Sequence, residues 1–146
     1  MAPTLLIVHS WMRWLVLATA VVVVLRFIGR YASSSHWTAV DRRAALIFTI
    51  VLDVQLTLGL ILYGVSPLVR PWLSDMGGAM KLADVRFVMV EHPTFMILAV
   101  AVAHVGSVMA SKAGTDRGKF RRAATGFTVS LALILGGIPW SRFIGS

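Results

Sequence analysis

The sequence predicts an all-α integral membrane protein, a four-helix bundle that forms a single transmembrane domain over residues 1–146. Hydrophobic residues make up 58% of the chain and charged residues only 14%, which is too little charge to cover the surface of a soluble domain of this length. The few charged residues also cluster in short stretches between long apolar runs. These observations exclude a soluble enzyme and a disordered chain.

Cysteine is absent from the sequence. This excludes disulfides, thiolate-ligated iron–sulfur clusters, cysteine nucleophiles and covalent haem attachment. A metal or cofactor would have to be held by His, Met, Asp or Glu. The net charge of +8 could indicate a nucleic-acid ligand, but an arginine excess in a membrane protein usually sets its topology. We therefore expect a lipid bilayer as partner and no nucleic acid.

The apolar runs predict membrane spans over about residues 5–28, 44–65, 85–110 and 123–138. A helix needs about 20 apolar residues to cross a hydrocarbon core. The first run is not expected to be a signal peptide, because no basic residue precedes it and no cleavage site stands clear of it. Gly77 and Gly78 argue against a further span in the long connection after the second run, where a short interfacial helix is expected near Trp72.

Basic residues are distributed unevenly over the two sides of the predicted bundle. Lys and Arg beside short loops are retained in the cytoplasm, so we expect both termini on the outer, periplasmic side of a bacterial inner membrane. The first and third connections hold nine basic residues: Arg26, Arg30, Arg42, Arg43, Lys112, Arg117, Lys119, Arg121 and Arg122. The other side holds four: Arg70, Lys81, Arg86 and Arg142.

Two histidines lie on separate spans at similar predicted depth. At 1.5 Å per residue, His9 is roughly 6 Å and His92 roughly 11 Å below the outer end of its helix. Imidazoles from two helices can bind the iron of one b-type haem from opposite faces, and we expect His9 and His92 to be these ligands. The alternatives are that both are wetted by lipid headgroups, or that they serve a quinone or a proton.

Neighbouring residues fit the haem hypothesis. Arg13 follows His9 by one helical turn and would neutralise the propionates, with Trp14 flanking the ring. Arg86, nearer the water, is a second candidate for the propionates. Pro93 removes one backbone hydrogen bond directly after the second histidine and is expected to bend its helix.

Other polar and small residues inside the spans are expected to be structural. Asp53 and His104 fall at matching depth towards the inner side, and pairing would lower the cost of burying both side chains. Glu91 is expected to form an ion pair with Arg13 or Arg86. Four glycines are expected to permit close contacts between helices: Gly59, Gly64, Gly106 and Gly126.

Short motifs occur in a fixed order along the chain: His9–Trp14, Gln55–Tyr63, Glu91–Pro93 and Ile138–Trp140. In this order and spacing the chain resembles a group of small bacterial four-helix membrane proteins described as cytochrome b-like. The resemblance covers most of the chain and implies an integral membrane protein with b-type haem, in which His9 and His92 are the ligands. The chain departs from such proteins at Asp53, near which they have a histidine.

The leading hypothesis is one-electron transfer through a single haem b with two histidine ligands near the outer face. The partners would be a larger membrane redox complex or the quinone pool, and the chain would be an electron-transfer subunit more readily than a stand-alone enzyme. The alternative is a cofactor-free accessory subunit of a larger respiratory or photosynthetic complex. A third hypothesis is a small proton-linked transporter that uses Asp53 and His104, although the repeated broken helices of transporters are missing.

Overall fold

The computed structural model describes residues 2–140, and every regular element in this part of the chain is helical. Four long helices are α1 (Ala2–Ala32), α2 (Ala39–Val65), α5 (His92–Ser111) and α6 (Asp116–Gly137). The connection between α2 and α5 contains a 3-10 turn (Arg70–Trp72), α3 (Met76–Lys81), α4 (Ala83–Arg86) and a π-helical turn (Phe87–Glu91). From α4 through the π-helical turn to the end of α5 the helix is unbroken.

Within the described residues, three helical segments are long and apolar enough to cross a membrane: Pro3–Ala32, Ala39–Val65 and Ala83–Ser111. The prediction of a helical chain with several membrane-spanning segments is confirmed to this extent. α6 does not join them, because its first two turns are rich in charged residues and leave only a short apolar remainder. A fourth crossing and the side on which the termini lie stay predictions.

The long helices form an up-and-down bundle. α1 packs against α2 and α6, and α5 packs against α6 and α2. α1 and α5 therefore face each other across a diagonal of the bundle. Side chains from these two helices can therefore meet at the centre of the bundle.

The closest contact joins α5 to α6 through small residues. A Cβ atom built on Gly106 would lie 2.9 Å from the Cα atom of Gly126, so neither position has room for a side chain. Ser130 adds a buried hydrogen bond of 2.8 Å to the backbone oxygen of Ala99. The expected role of glycine in close packing is correct for this pair, whereas a Cβ atom on Gly64 would meet no heavy atom within 4 Å.

A buried carboxylate anchors the end of the bundle that carries the short connections, which we call the basic end. Asp41 is fully buried and accepts a 2.8 Å hydrogen bond from Arg26 Nε. Its Oδ1 also lies 3.1 Å from Arg30 Nε, and its Oδ2 accepts from the backbone and side chain of Thr38 at the start of α2. An aromatic core packs beside it: Phe27, Trp37, Phe48, Phe120 and Phe127.

The long connection folds over the opposite end of the bundle. Val69 and Ala79 are buried there against Met89 of the π-helical turn. The short helix expected near Trp72 is the 3-10 turn, and the glycine pair lies in α3, which is only six residues long. The connection thus closes the end of the bundle at which both histidines of the haem hypothesis lie.

Candidate functional site: a cavity between two histidines

A cavity of about 280 Å³ lies inside the bundle, at the end covered by the long connection. All four long helices and the connection contribute to its wall, which is mostly aliphatic. The polar side chains in the wall are His9, Arg13, Gln55, Tyr63, Ser66 and His92. An apolar pocket with a few convergent polar groups is the usual form of a site for a small molecule or cofactor.

The cavity brings together the two histidines that the sequence singles out. The ring centres of His9, from α1, and His92, from α5, are 6.2 Å apart, and the ring planes meet at 84°. Two imidazoles that bind one metal through nitrogens about 2 Å from it have ring centres roughly 6 Å apart. Perpendicular rings are compatible with this, because each ring plane needs to contain only its own metal–nitrogen bond.

The ring of His92 is held by the end of α6. Its Nδ1 lies 2.6 Å from the backbone oxygen of Gly137. Because a carbonyl oxygen only accepts, Nδ1 carries the proton and Nε2 keeps the lone pair that a metal requires. A Cβ atom on Gly137 would lie 2.7 Å from Cβ of Phe95 and would also collide with Cε of Met96, so only glycine brings this carbonyl close enough.

The ring of His9 lies against α2. A Cβ atom on Gly59 would be 3.1 Å from Cε1 of His9, so the absence of a side chain there makes room for the imidazole. Gln55 Nε2 donates to the backbone oxygen of His9 at 3.0 Å. Within residues 2–140, the buried atoms His9 Nδ1 and Gln55 Oε1 have no hydrogen-bond partner. Unpaired buried polar atoms are costly, which is consistent with a group that binds in the cavity.

The backbone before the second histidine departs from α-helical geometry. The N–H group of His92 donates to the carbonyl of Phe87, five residues earlier. Pro93 has no N–H group to donate to the carbonyl of Met89, which accepts a 3.1 Å hydrogen bond from the hydroxyl of Tyr63 instead. π-Helical turns are frequent at functional sites, and this one sets the direction in which the imidazole leaves its helix.

Of the side chains expected at the edge of a haem, only Arg13 lines the cavity. Trp14 is exposed on the outside of α1, with the Arg13 guanidinium carbon 5.7 Å from its ring centre. Arg86 does not line the cavity either, because its Nε donates to Glu91 at 2.7 Å. The ion pair expected for Glu91 thus forms with Arg86, and the expected places of Arg86 and Trp14 beside a haem are corrected.

Asp53 and His104 approach each other as expected, but on the outside of the bundle. His104 Nε2 lies 2.8 Å from Asp53 Oδ1, and the two side chains are 46% and 48% exposed. The expectation of burial within the chain is therefore wrong. The inward-facing positions next to them are taken by Leu52 and Ala103, which are buried, so the pair is turned outward.

The donor set fits a haem. Among residues 2–140, no group of three or more His, Cys, Asp or Glu side chains could hold a bare metal ion. A haem needs only axial ligands from the protein, because its macrocycle supplies the other nitrogens. Two imidazoles from diagonal helices, with ring centres 6.2 Å apart, are compatible with that requirement.

Two features of the site are not evident from the sequence: the contact of Gly59 with His9 and the carbonyl of Gly137. A polar residue inside an apolar run was an available indication for Gln55 and Tyr63, which also belong to the motif in the second span. A sequence does not show which backbone carbonyl accepts a hydrogen bond from a side chain on another helix.

No protein-family model, curated protein or solved structure matches the chain. The likeness to cytochrome b-like proteins therefore stays a prediction.

Proposed function

We propose that the chain is a membrane b-type haem protein of the bacterial inner membrane that transfers single electrons through one haem held by His9 and His92. The main observation in support is that the two imidazoles meet across the diagonal of the bundle, with ring centres 6.2 Å apart. When bound, such a haem cycles between ferric and ferrous iron. The electron partners would be a larger membrane redox complex or the quinone pool.

Three residues of the chain would hold this group: His9, His92 and Arg13. His92 is fixed by the carbonyl of Gly137, and His9 by its contact with Gly59. Arg13 supplies a cation in the cavity wall for the propionates. With both histidines as its ligands, such a haem would supply one-electron transfer rather than chemistry on a substrate.

A visible difference spectrum tests the proposal. The protein is purified from haem-replete cells, and reduced-minus-oxidised spectra are recorded for the wild type, His9→Ala and His92→Ala. We expect b-type bands in the wild type and their loss in both variants, with helicity unchanged by circular dichroism. His36→Ala is the matched control, because that side chain is 96% exposed at the basic end. A colourless wild type refutes the proposal.

A second candidate function is a cofactor-free accessory subunit of a larger membrane complex. The observation that favours it is the half-exposed pair of Asp53 and His104, which lies within the segments Ala39–Val65 and Ala83–Ser111. Lipid chains offer no hydrogen bonds, so polar side chains in a span usually face protein or water. A helix of a neighbouring subunit would cover this pair.

Affinity purification from mild detergent separates the two candidates. A colourless chain that co-purifies with other subunits at fixed stoichiometry, and loses them in the Asp53→Leu/His104→Leu variant, favours the accessory subunit. Val54→Leu is the matched control, because Val54 is exposed on the same helix but apolar. Haem bands in the isolated chain, without a dependence on Asp53, favour electron transfer.

A further inference from the structure

The outer face of α5 and α6 has a second concavity, an open groove of about 400 Å³ near the basic end. Its lining includes the crossing of Gly106 and Gly126, where the backbones of α5 and α6 approach each other most closely. Its walls are Val105, Met109 and Val129, which are 56%, 47% and 45% exposed. The groove is thus apolar and open to the surroundings of the bundle.

Two arginines lie at one end of this groove. Arg122 lines it and donates from Nη1 to the backbone oxygen of Met109 at 3.0 Å, which holds the guanidinium beside the groove. Arg121 also lines the groove and is exposed, and no hydrogen bond or ion pair joins it to another residue within 2–140. None of the acidic residues in the described part of the chain lines the groove. The end of an apolar channel is therefore positively charged and open to an anion.

We propose that this groove binds an anionic phospholipid, with one acyl chain along the Gly106–Gly126 crossing and the phosphate at Arg121 and Arg122. From Ala101 to Met109 the groove follows α5 for about 12 Å at 1.5 Å per residue, which accommodates the upper part of an acyl chain. Guanidinium groups bind phosphate oxygens with paired hydrogen bonds. Basic pockets between membrane helices bind the headgroups of anionic lipids.

This site differs from the rest of the positively charged basic end because its two arginines, Arg121 and Arg122, line an apolar groove. Arg42 and Arg43 are also exposed at that end, but they do not line the groove. They would attract anionic lipids from a distance without holding one molecule in place. The site is also separate from the cavity that contains His9 and His92, so its occupancy does not depend on haem.

Native mass spectrometry of the full chain in detergent tests the proposal, with phosphatidylglycerol and phosphatidylcholine of identical acyl chains titrated separately. We expect one phosphatidylglycerol molecule to bind the wild type at least about tenfold more tightly than phosphatidylcholine. Each arginine near an anionic lipid contributes about a factor of five, so Arg121→Gln/Arg122→Gln is expected to weaken binding by about 25-fold. Arg42→Gln/Arg43→Gln, the control of equal charge, is expected to change it less than about threefold.

A second pair of variants tests the contribution of the groove itself. Val105→Trp fills the groove and leaves both arginines in place, and it is expected to abolish the bound phosphatidylglycerol. Val54→Trp adds the same side chain at an exposed position of α2 and is expected to retain it. Equal binding of the two lipids, equal losses in the two arginine pairs, or undiminished binding in Val105→Trp would each overturn the proposal. Circular dichroism checks that every variant is folded.

Discussion

His92 Nδ1 lies 2.6 Å from the backbone oxygen of Gly137, so a carbonyl at the end of α6 fixes the imidazole of a residue on α5. The contact determines both the orientation of the ring and the nitrogen that carries its proton. It depends on a position where the two helices approach too closely for any side chain. The packing of α6 and the properties of the cavity are therefore coupled.

Gly137→Ala is expected to weaken haem binding, because the new Cβ would lie 2.7 Å from Cβ of Phe95 and push the carbonyl away from His92. Loss of such an outer partner typically lowers metal affinity about 10–100-fold. Gly136→Ala is the matched control, since its Cβ would lie 3.5 Å from the ring of Phe95, an ordinary contact. Haem titration gives the haem affinity of both variants. Equal affinities in Gly137→Ala and Gly136→Ala would contradict the prediction.

Gly59→Leu is expected to displace the ring of His9 and remove the haem bands, because the backbone of α2 passes directly beside that ring. Gly64→Leu lies on the same helix, with no heavy atom within 4 Å of its new Cβ. It should keep the bands and be neutral or more stable, since glycine in a helix costs about 1 kcal/mol relative to a good helix former. Visible spectra and circular dichroism are recorded for both variants. Haem bands retained in Gly59→Leu would contradict the prediction.

Tyr63→Phe is expected to destabilise the fold by about 1–3 kcal/mol, because the carbonyl of Met89 loses its donor. In a Pro93→Ala background the restored N–H group offers a replacement, so the same change should cost less there. Unfolding in mixed micelles of the two single variants and the double variant gives the coupling energy. Strictly additive free energies of unfolding would mean that the Tyr63 hydroxyl does not replace the N–H group that Pro93 lacks.

Asp41→Asn is expected to destabilise the basic end strongly, because it leaves Arg26 and Arg30 beside a buried group without charge. Hydrogen bonds to charged groups contribute about 1.5–3 kcal/mol, and the side chains of Arg26 and Arg30, which are 31% and 28% exposed, keep access to water. Asp116→Asn, which breaks the exposed contact with His36, should cost about 1 kcal/mol or less. Unfolding in mixed micelles measures both variants, and a similar cost for the two would show that Asp41 is not a structural anchor.

The sequence predicts the long helices well because apolar runs report directly on burial in lipid. It does not predict their ends. α6 begins at Asp116, well before its apolar run, because the side chain of Thr115 caps it by accepting from the Gly118 N–H at 3.0 Å. α1 likewise extends to Ala32, beyond the predicted limit of its span. Capping and backbone hydrogen bonds extend helices past the hydrophobic segment.

The sequence predicts the depth of a residue along its helix, but it does not predict the direction in which the side chain points around the helix axis. Matching depths on separate helices selected His9 and His92, and they also matched Asp53 with His104. Depth does not say which way a side chain points around its helix, so the second pair lies outside the bundle. For Arg86 the sequence left two places open, beside a haem or paired with Glu91, and the structure shows the second.

The π-helical turn before His92 has an evolutionary and engineering consequence. Such a turn holds one residue more than an α-helical turn, and one residue corresponds to a rotation of about 100°. Deleting a residue within 87–91 would remove the extra residue and let the helix close normally, so the parts on either side would keep nearly the same relative orientation. The same residues closed as an ordinary α-helix, with nothing deleted, would instead rotate this imidazole by about 100°. One inserted codon and the π-helical turn that absorbs it thus belong together, with the hydrophobic pattern of α5 unchanged.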